Sequence, residues 1–351
     1  MKPLFLVTAI FLSSCGACSL RLEPEAERGD FVFLSYNVHN LFDDADDGTE
    51  YPEYDPGRGV WNGEAYRKKL LAVGKAVLES APGGPDAAAF IEIENDRVLE
   101  DLRSGPLREA GYAWRLTAPS DGAPVRVGLL SRLPVLEARC HAPAEAGYPQ
   151  RPILEAALDA GGRRLSLFVC HFKSKSEGAE RTEKSRVLAA AALRRRIAEI
   201  LRAEPAAEIL VLGDLNESAD EYERTGGRYP TALMPADPAG ASDPAGVGAP
   251  DADALYLSGR RGMEAPAPGG RLVLYSPWLD DPPHPGSYLY RGEWETIDHA
   301  LLAPGLFDRK GLAFSSFSVA RSSYLFTRDG EPNPDYSDHL PILVTLKGGE
   351  E

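Results

Sequence analysis

The segment EILVLGDLNE, residues 208–217, contains the pattern from which the fold is predicted. Glu208–Leu212 is a short apolar run that predicts a buried β-strand, and Gly213-Asp214 ends it. Asp214 and Asn216 place two polar side chains at the end of this strand. Layered α/β folds collect binding residues at strand ends, because the loops at one sheet edge converge there.

Five other segments repeat this arrangement along the chain. In each, a polar residue lies at or near the end of a predicted strand. They are Tyr36-Asn37-Val38, Phe90-Ile91-Glu92-Ile93-Glu94-Asn95, Cys170-His171-Phe172-Lys173-Ser174, Thr296-Ile297-Asp298-His299 and Ser337-Asp338-His339-Leu340-Pro341. Each segment alone is an ordinary turn or cap sequence, so it is their joint occurrence that indicates a site.

Hydrophobic periodicity predicts the elements that carry these segments. Helices are expected over Glu64–Ser80 and Glu180–Ala203, where apolar residues recur at helical spacing. Arg126–Ser131 and Val135–Arg139 are strands three residues apart, which predicts a hairpin. Residues 224–270 are rich in Pro, Gly and Ala and are expected to be a loop-rich excursion. Many short strands with helices among them predict two packed sheets flanked by helices.

The charge of the chain limits how it can bind a polyanion. Its 351 residues include 53 acidic and 38 basic ones, a formal net charge of −15. A protein that binds nucleic acid mainly by neutralising phosphates is expected to be basic. An acidic chain must instead offset phosphate charge locally, and a bound cation is the simplest means.

The N-terminus predicts export. A lysine precedes a nine-residue apolar run, Leu4–Leu12, which is too short to span a bilayer and suits the core of a signal peptide. Leu12-Ser13-Ser14-Cys15 resembles the lipobox of bacterial lipoproteins. This resemblance implies a signal peptide over residues 1–14, a lipid on Cys15 and a tether over residues 15–30. Ordinary secretion with cleavage nearby is the alternative.

Two cysteines, Cys140 and Cys170, lie in the body of the chain without histidines at metal-ligand spacing. Export permits a disulfide between them, and two buried thiols are the alternative. Cys170 alternates with His171 along a strand, so its side chain is expected to face the core.

Taken in order, the six segments resemble the motifs of the endonuclease/exonuclease/phosphatase superfamily, which has the DNase I-like fold. The resemblance covers about residues 31–346. The start of the chain, YNVHNLFD at residues 36–43, resembles a bacterial exported lipoprotein subgroup, whose members usually carry Glu in place of His39. The resemblance implies a four-layered α/β sandwich, with two packed and mainly antiparallel sheets flanked by helices, in one domain over residues 31–347.

The resemblance also implies a metal centre and a catalytic pair. Phosphoester hydrolysis requires neutralisation of the phosphate, activation of water and protonation of the leaving oxygen. Hard divalent cations prefer oxygen ligands, and the implied ligands are Glu92, Asn37 and Asp338. His339 would act as general base or stabilise the phosphate directly, with Asp298 orienting its ring.

The remaining motif residues are assigned to water and phosphate. The family pattern places Asp214 on the attacking water and Asn216 on the phosphate, and His171 would donate to a phosphate oxygen or the leaving group. Three further residues are expected to contact substrate: Arg151, Lys173 and Trp294, the last by stacking. Core packing of Trp294 and a solvated helix start at Lys173 fit the sequence equally well.

Other polar residues have plainer interpretations. The acidic run Asp43–Glu50 is expected to be a solvated loop, and calcium binding is the alternative although the run does not match an EF-hand. His299 alternates away from Asp298 on its strand and is expected to pack. His141 and His284 lack partner patterns and are expected at the surface.

The sequence therefore predicts a monomeric, metal-dependent phosphodiester hydrolase, lipid-anchored at the cell surface or in the periplasm. Mg²⁺ is the expected ion, with Mn²⁺ or Ca²⁺ as alternatives. The subgroup makes extracellular DNA or RNA the first substrate, cleaved by endonuclease or exonuclease action. A phosphatase or lipid phosphodiesterase of the same fold is the alternative, as is a catalytically silent binding protein, which the intact motifs oppose.

Overall fold

The computed structural model describes residues 29–119, 122–144, 150–236, 254–263, 272–280, 282 and 284–348. The predicted signal peptide, Cys15 and nearly all of the tether lie outside the described residues. In the described part of the chain, no helix has the length and apolar character needed to cross a membrane.

The described chain consists of many short strands with helices placed between groups of them. The strands are β1 (Asp30–Leu41), β2 (Ala87–Ile93), β3 (Trp114–Thr117), β4 (Arg126–Ser131), β5 (Val135–His141), β6 (Ile153–Asp159), β7 (Arg164–His171), β8 (Glu208–Asp214), β9 (Leu233–Pro235), β10 (Leu255–Ser258), β11 (Val273–Tyr275), β12 (Tyr288–Tyr290), β13 (Glu293–Glu295), β14 (Asp298–Leu302), β15 (Leu312–Val319) and β16 (Ile342–Gly348). The helices are α1 (Gly63–Ser80), α2 (Asp96–Ser104), α3 (Ala179–Ala203) and α4 (Glu221–Arg224).

Two sheets form the centre of the fold and share one hydrophobic core. The first has the strand order β15-β16-β1-β2-β4-β3, and the second has the order β5-β6-β7-β8-β14-β11-β10-β9. Most neighbouring strands are antiparallel, whereas β1–β2, β7–β8, β9–β10 and β10–β11 are parallel. Strands of both sheets and the helices α1, α2 and α3 contribute to one buried cluster. The predicted sandwich of two packed, mainly antiparallel sheets flanked by helices is confirmed.

Helix α1 shows how local sequence signals position the elements. Its N-cap is Asn62, whose side chain accepts from the backbone nitrogens of Glu64 and Ala65. Tyr66 and Val73, seven residues apart and so on one face of the helix, are buried in the core. The helix begins one residue before the predicted start and ends at the predicted residue, Ser80.

The pairing registers bring the polar strand ends together. In the parallel pair β7–β8, His171 is level with Asp214. Strand β14 runs antiparallel to β8 and places Asp298 opposite Asp214. In the other sheet, β1 and β2 are parallel, and Asn37 is level with the residue that precedes Glu92. Because β1 and β2 contact β8, these two sets of strand ends meet in one place.

The predicted hairpin between β4 and β5 is wrong. Strand β4 pairs with β2 and β3 in the first sheet, whereas β5 pairs with β6 in the second. The connection crosses between the sheets: the backbone nitrogen of Arg132 donates to Asp86, and the carbonyl of Pro134 accepts from Asp159. A short connection between two apolar runs does not distinguish a turn within one sheet from a crossing between two sheets.

Two further features differ from the sequence expectation. Helix α2 was not expected, because it offers only the short apolar set Val98, Leu99 and Leu102, although Asn95 caps it by accepting from the backbone of Val98. Residues 224–270, expected to be loop-rich, contribute β9 and β10 to the edge of the second sheet. These strands are three and four residues long, too short to produce a readable alternation.

Cys140 and Cys170 do not form a disulfide. They lie on β5 and β7, with β6 between them, so the strands are about 9–10 Å apart. Cys140 pairs with Leu154, and Leu154 pairs with Val169, so the side chains of these three residues lie on the same face of the sheet. Cys170 is the next residue after Val169, and its side chain therefore points to the opposite face from that of Cys140. Cys170 is buried, as expected, while Cys140 is exposed.

Candidate active site

Asn37 lies where the two sheets meet and contacts three other motif residues. Its amide nitrogen is 3.1 Å from Oε1 of Glu92 and 3.0 Å from Oδ2 of Asp214. Nε2 of His339 is 3.4 Å from the same nitrogen. The Asn37 side chain is 1% exposed, so these contacts form in a nearly dry pocket. Four of the six sequence segments therefore supply side chains to one site.

Glu92, His171 and Asp214 form a group that fits a divalent cation. One ligand atom from each lies within 4.8 Å of the other two. Burial lowers the pKa of His171 well below its usual range, so the ring is neutral. Burial, opposed by the charge of His339, raises the pKa of Asp214 to about 7. Carboxylates crowded in a dry pocket are costly, and a cation among them would offset this cost.

Two of the three predicted metal ligands lie outside this group. Asn37 turns its nitrogen towards the carboxylates, while its Oδ1 accepts from the backbone nitrogen of His39 at 3.0 Å. Asp338 lies at the rim, where Oδ1 is 3.6 Å from Nδ1 of His39 and 3.9 Å from Nε2 of His339. Glu92 belongs to this group, and the ligand roles of Glu92, Asn37 and Asp338 all stay predictions.

His339 and Asp298 are hydrogen-bonded, as expected of a catalytic pair. Nδ1 of His339 is 2.7 Å from Oδ2 of Asp298, and the hydroxyl of Ser287 donates to the same oxygen at 2.6 Å. Burial opposes protonation of His339, but the Asp298 carboxylate outweighs it and raises the pKa of the ring well above its usual range. The Tyr288 ring covers the imidazole at 4.5 Å between centroids. These contacts leave Nε2 directed towards Asn37 and the pocket.

The turn after β8 fixes the orientation of Asp214. Its Oδ1 accepts from the backbone nitrogen of Asn216 at 2.8 Å, which leaves Oδ2 facing Asn37. The Asn216 side-chain nitrogen donates to the carbonyl of Phe172 at 3.2 Å. Asn216 thus ties the ends of β7 and β8 together, and its predicted contact with phosphate stays a prediction.

Strained backbone surrounds the pocket. Of the six described residues other than glycine that have positive φ angles, four lie at the pocket: His39 (53°), Asn40 (55°), Glu92 (68°) and Asn216 (53°). Residues other than glycine rarely adopt this conformation. The positive φ angle at Glu92 coincides with a break in the pairing of β2 with both of its neighbours. The Glu92 side chain leaves the regular alternation of the strand, and its Oε2 accepts a hydrogen bond from the backbone nitrogen of Asn40 at 3.0 Å. Glu94 therefore diverges from Glu92.

The three residues expected to contact substrate differ in their placement. Arg151 and Lys173 lie beside the pocket: Arg151 donates to the carbonyl of Phe172 at 3.4 Å, and Lys173 pairs with Glu177 at 2.6 Å. Trp294 packs edge-on against His284, with 4.6 Å between ring centroids. The expectation that His284 lies at the surface is wrong, because its side chain is buried under this contact.

Tyr288 and Ser287 are the site residues that the motifs do not reveal. Trp294 is level with Leu289 across the β12–β13 pair, whereas Tyr288 is level with Glu295. Tyr288 and Tyr290 therefore share the face of β12 opposite to Leu289 and Trp294. The aromatic side chain that lies over the catalytic pair is thus Tyr288, and the only sequence signal for it is the alternation Tyr-Leu-Tyr.

The fold and the site agree with the comparisons to known proteins. A profile of the Endonuclease/Exonuclease/phosphatase family matches residues 32–227, so the chain belongs to this family of metal-dependent phosphoric ester hydrolases. No curated protein sequence matches the chain at a significant level.

Solved structures with low sequence identity share the fold. Caenorhabditis elegans TDP2 (truncated) is 15% identical, with a TM-score of 0.54, over 91% of this chain and 98% of that one. The human Nocturnin catalytic domain is 14% identical, with a TM-score of 0.51, over 90% and 94%. Danio rerio TDP2 complexed with a single-strand DNA product is 15% identical, with a TM-score of 0.51, over 90% and 98%.

The Asp298→Asn substitution tests the catalytic pair. We expect kcat to fall by about 10²–10⁴-fold with little change in KM, because the amide cannot stabilise a charged His339 ring. Steady-state kinetics on bis-p-nitrophenyl phosphate with Mg²⁺ measures both constants. Asp335→Asn makes the same change at an exposed residue that pairs with Lys68, and should keep full activity. A fall of less than about tenfold in Asp298→Asn would show that the pair is not catalytic.

Proposed function

We propose that this hydrolase is an extracellular nuclease that cleaves phosphodiesters of DNA or RNA with Mg²⁺. The observation that carries this proposal is an aromatic series that leads out of the pocket from His339. Tyr288 covers the imidazole, and Tyr290 stacks beyond it at 6.4 Å with an interplanar angle of 14°. The guanidinium of Arg291 lies over the ring of Tyr290, the outermost ring of the series, at 5.0 Å from its centroid.

This series suits a chain of nucleotides better than a small phosphate ester. Tyr290 is 46% exposed, so its ring is available to a base next to the phosphate in the pocket. Stacking on aromatic rings binds single-stranded nucleic acid with little dependence on sequence, and arginine adds an attraction to the phosphates. A compact phosphomonoester would leave Tyr290 and Arg291 unused.

The chemistry follows from the positions of the polar groups. Glu92 would hold the divalent cation, which supplies positive charge to the phosphoryl group when bound. Asp214, with a pKa of about 7, accepts a hydrogen bond from the attacking water and can take its proton near neutral pH. His339, held at Nδ1 by Asp298, donates from Nε2 to a phosphoryl oxygen. Neutral His171 can donate a hydrogen bond to the leaving oxygen but not a proton, so the leaving oxygen takes its proton from water.

Local positive charge would compensate for the acidity of the chain. Arg151 lies beside the pocket, where it donates to the backbone carbonyl of Phe172. Lys173 is the next residue after Phe172 in the sequence. Electrostatic attraction acts over about 8–10 Å at physiological salt, so these neighbours affect the substrate more than the net charge of −15 does. The neighbouring fold of Danio rerio TDP2, which was solved with a single-strand DNA product, also favours this substrate class.

A substrate panel tests the proposed function. We expect hydrolysis of DNA, RNA and bis-p-nitrophenyl phosphate with Mg²⁺, no activity in EDTA, and its recovery when Mg²⁺ is restored. His339→Ala should abolish turnover of every cleaved substrate. Cleavage of sphingomyelin or inositol phosphates in preference to nucleic acid would replace the nuclease proposal with a lipid phosphodiesterase or a phosphatase. Full activity in EDTA or in His339→Ala would refute the mechanism.

The Tyr290→Ala substitution separates substrate binding from chemistry. Loss of one stacked base costs about 1–3 kcal/mol, so KM for single-stranded DNA should rise roughly 5–150-fold. Hydrolysis of bis-p-nitrophenyl phosphate, which has no chain of nucleotides to extend along the aromatic series, should change far less. Trp114→Ala removes a similarly exposed aromatic residue from edge strand β3 and should alter neither substrate. An unchanged KM for DNA in Tyr290→Ala would exclude the aromatic series from binding.

We also propose that the chain is exported and lipid-anchored, with the lipid on Cys15. The support is the N-terminal sequence, in which the apolar run Leu4–Leu12 leads into Leu12-Ser13-Ser14-Cys15. Expressed in a bacterium with a lipoprotein pathway, the wild-type chain should fractionate with membranes. Cys15→Ser should be released into the soluble fraction, and Cys18→Ser, a matched change three residues away, should stay with membranes. Retention of Cys15→Ser in the membrane fraction would disprove the anchor.

A further inference from the structure

A second group of carboxylates lies at the end of β2, where Glu94 directly follows the strand. The acidic run Asp43–Glu50 follows β1, and its residues Asp47 and Glu50 converge on Glu94. One oxygen from each of the three side chains lies within 4.8 Å of the other two. Glu94, which follows β2, thus lies beside a loop that precedes it by more than forty residues in the chain.

Glu94 has a buried oxygen that the protein leaves without a partner. Its side chain is 1% exposed. Oε2 accepts from the backbone nitrogen of Asp43 at 2.7 Å, but Oε1 has no hydrogen-bond partner. A buried carboxylate oxygen without a partner costs free energy comparable to a lost hydrogen bond to a charged group. This oxygen is therefore an unused acceptor that a cation could engage.

The nearby arginines do not supply the missing positive charge. Arg97 is engaged by Asp43 at 3.2 Å and by Asp44 at 2.6 Å. Arg126 is half-buried near Glu94 and Asp47, yet within the described chain it forms no ion pair shorter than 4.0 Å with them, and its Nε is also without a partner. Within the described part of the chain, these three carboxylates thus converge without either arginine in contact.

We propose that Asp47, Glu50 and Glu94 form a binding site for a Ca²⁺ ion, separate from the catalytic metal centre. Calcium takes oxygen ligands at about 2.3–2.6 Å in flexible geometry, and oxygens on opposite sides of one ion are then about 4.8 Å apart. Mg²⁺ requires a tighter, nearly ideal octahedron, which an exposed loop with only three side-chain ligands does not provide. The hard oxygen ligands exclude metals that prefer nitrogen or sulfur.

The ion would fasten the loop to the end of β2. Several side-chain contacts already order the loop around this point: Glu50 accepts from the backbone of Asp47 at 2.7 Å and Gly48 at 2.9 Å. Phe42, which precedes the acidic run, stacks on Tyr54 at 5.0 Å. Glu94 and Glu92 are separated by one residue, so an ion at Glu94 would hold in place the strand end from which Glu92 enters the active site.

Calcium titration of the full chain in the Glu92→Gln background tests this proposal, because that variant removes the central ligand of the catalytic centre. We expect one equivalent of Ca²⁺ to bind by isothermal titration calorimetry, and 5 mM Ca²⁺ to raise Tm by about 2–4 °C. Adding Asp47→Asn, at an exposed position, should weaken binding at least about tenfold and remove the Tm shift.

Asp46→Asn is the matched control, since it removes one charge from the same loop at the residue next to Asp47. Binding and the Tm shift should survive in Asp46→Asn and be lost in Glu94→Gln. Absence of calcium binding up to 10 mM would overturn the proposal. Equal weakening by Asp46→Asn and Asp47→Asn would also overturn it, because a diffuse acidic loop would then explain the binding. Neither outcome depends on nuclease activity.

Discussion

The constraint on which the site depends is the confinement of like charges. Pairing register brings Asp214 level with both His171 and Asp298, and the other sheet adds Glu92. Carboxylates repel one another strongly where water is excluded, so the protein must supply donors for each of them. The amide of Asn37 bridges Glu92 and Asp214, and the imidazole of His339 neutralises Asp298. The charge that remains unbalanced, around Glu92 and Asp214, is where a divalent cation fits.

Backbone strain at Glu92 explains how two separate clusters of carboxylates, one around Glu92 and one around Glu94, form so close together in the sequence. A regular strand would place Glu92 and Glu94 on one face, only two residues apart. The positive φ angle of Glu92 ends the alternation, so its side chain joins the active site while Glu94 turns to the loop after β1. Strain of this kind costs about 1–3 kcal/mol and persists only where other contacts fix it. The contacts of Asn40 and Asp43 with the two carboxylates provide that fixation.

Features set by local sequence were predictable, and those set by contacts between distant segments were not. The strands that end at Asp214 and at His171 follow from short apolar runs, and the motif order implied that their ends would meet. The connection from β4 to β5 crosses between the sheets because β4 joins the first sheet and β5 joins the second. The connecting residues Arg132 and Pro134 do not indicate which sheet each strand joins. Arg186 likewise belongs to a basic stretch in the sequence, yet it is fully buried and pairs with Glu183 and Glu217. Glu183 is one helical turn away and could be read from the sequence, but Glu217 lies beyond β8, so only the folded structure shows that Arg186 joins α3 to the segment after β8.

The position of Tyr288 shows why substrate recognition was harder to foresee than catalysis. Catalytic groups must be particular residue types, so Asp298 and His339 are visible as motifs. A stacking surface can use any aromatic ring on any nearby strand, and its location depends on which face of that strand meets the pocket. Trp294 is larger than Tyr288 and closer in sequence to Asp298, but alternation along the β12–β13 pair turns it towards His284. Because an isolated bridge pairs Tyr288 with His339, the strand that presents the aromatic face is attached directly to the catalytic residue. A base stacked on this face would thus lie at a fixed distance from the imidazole, which links substrate position to the catalytic pair through the backbone itself.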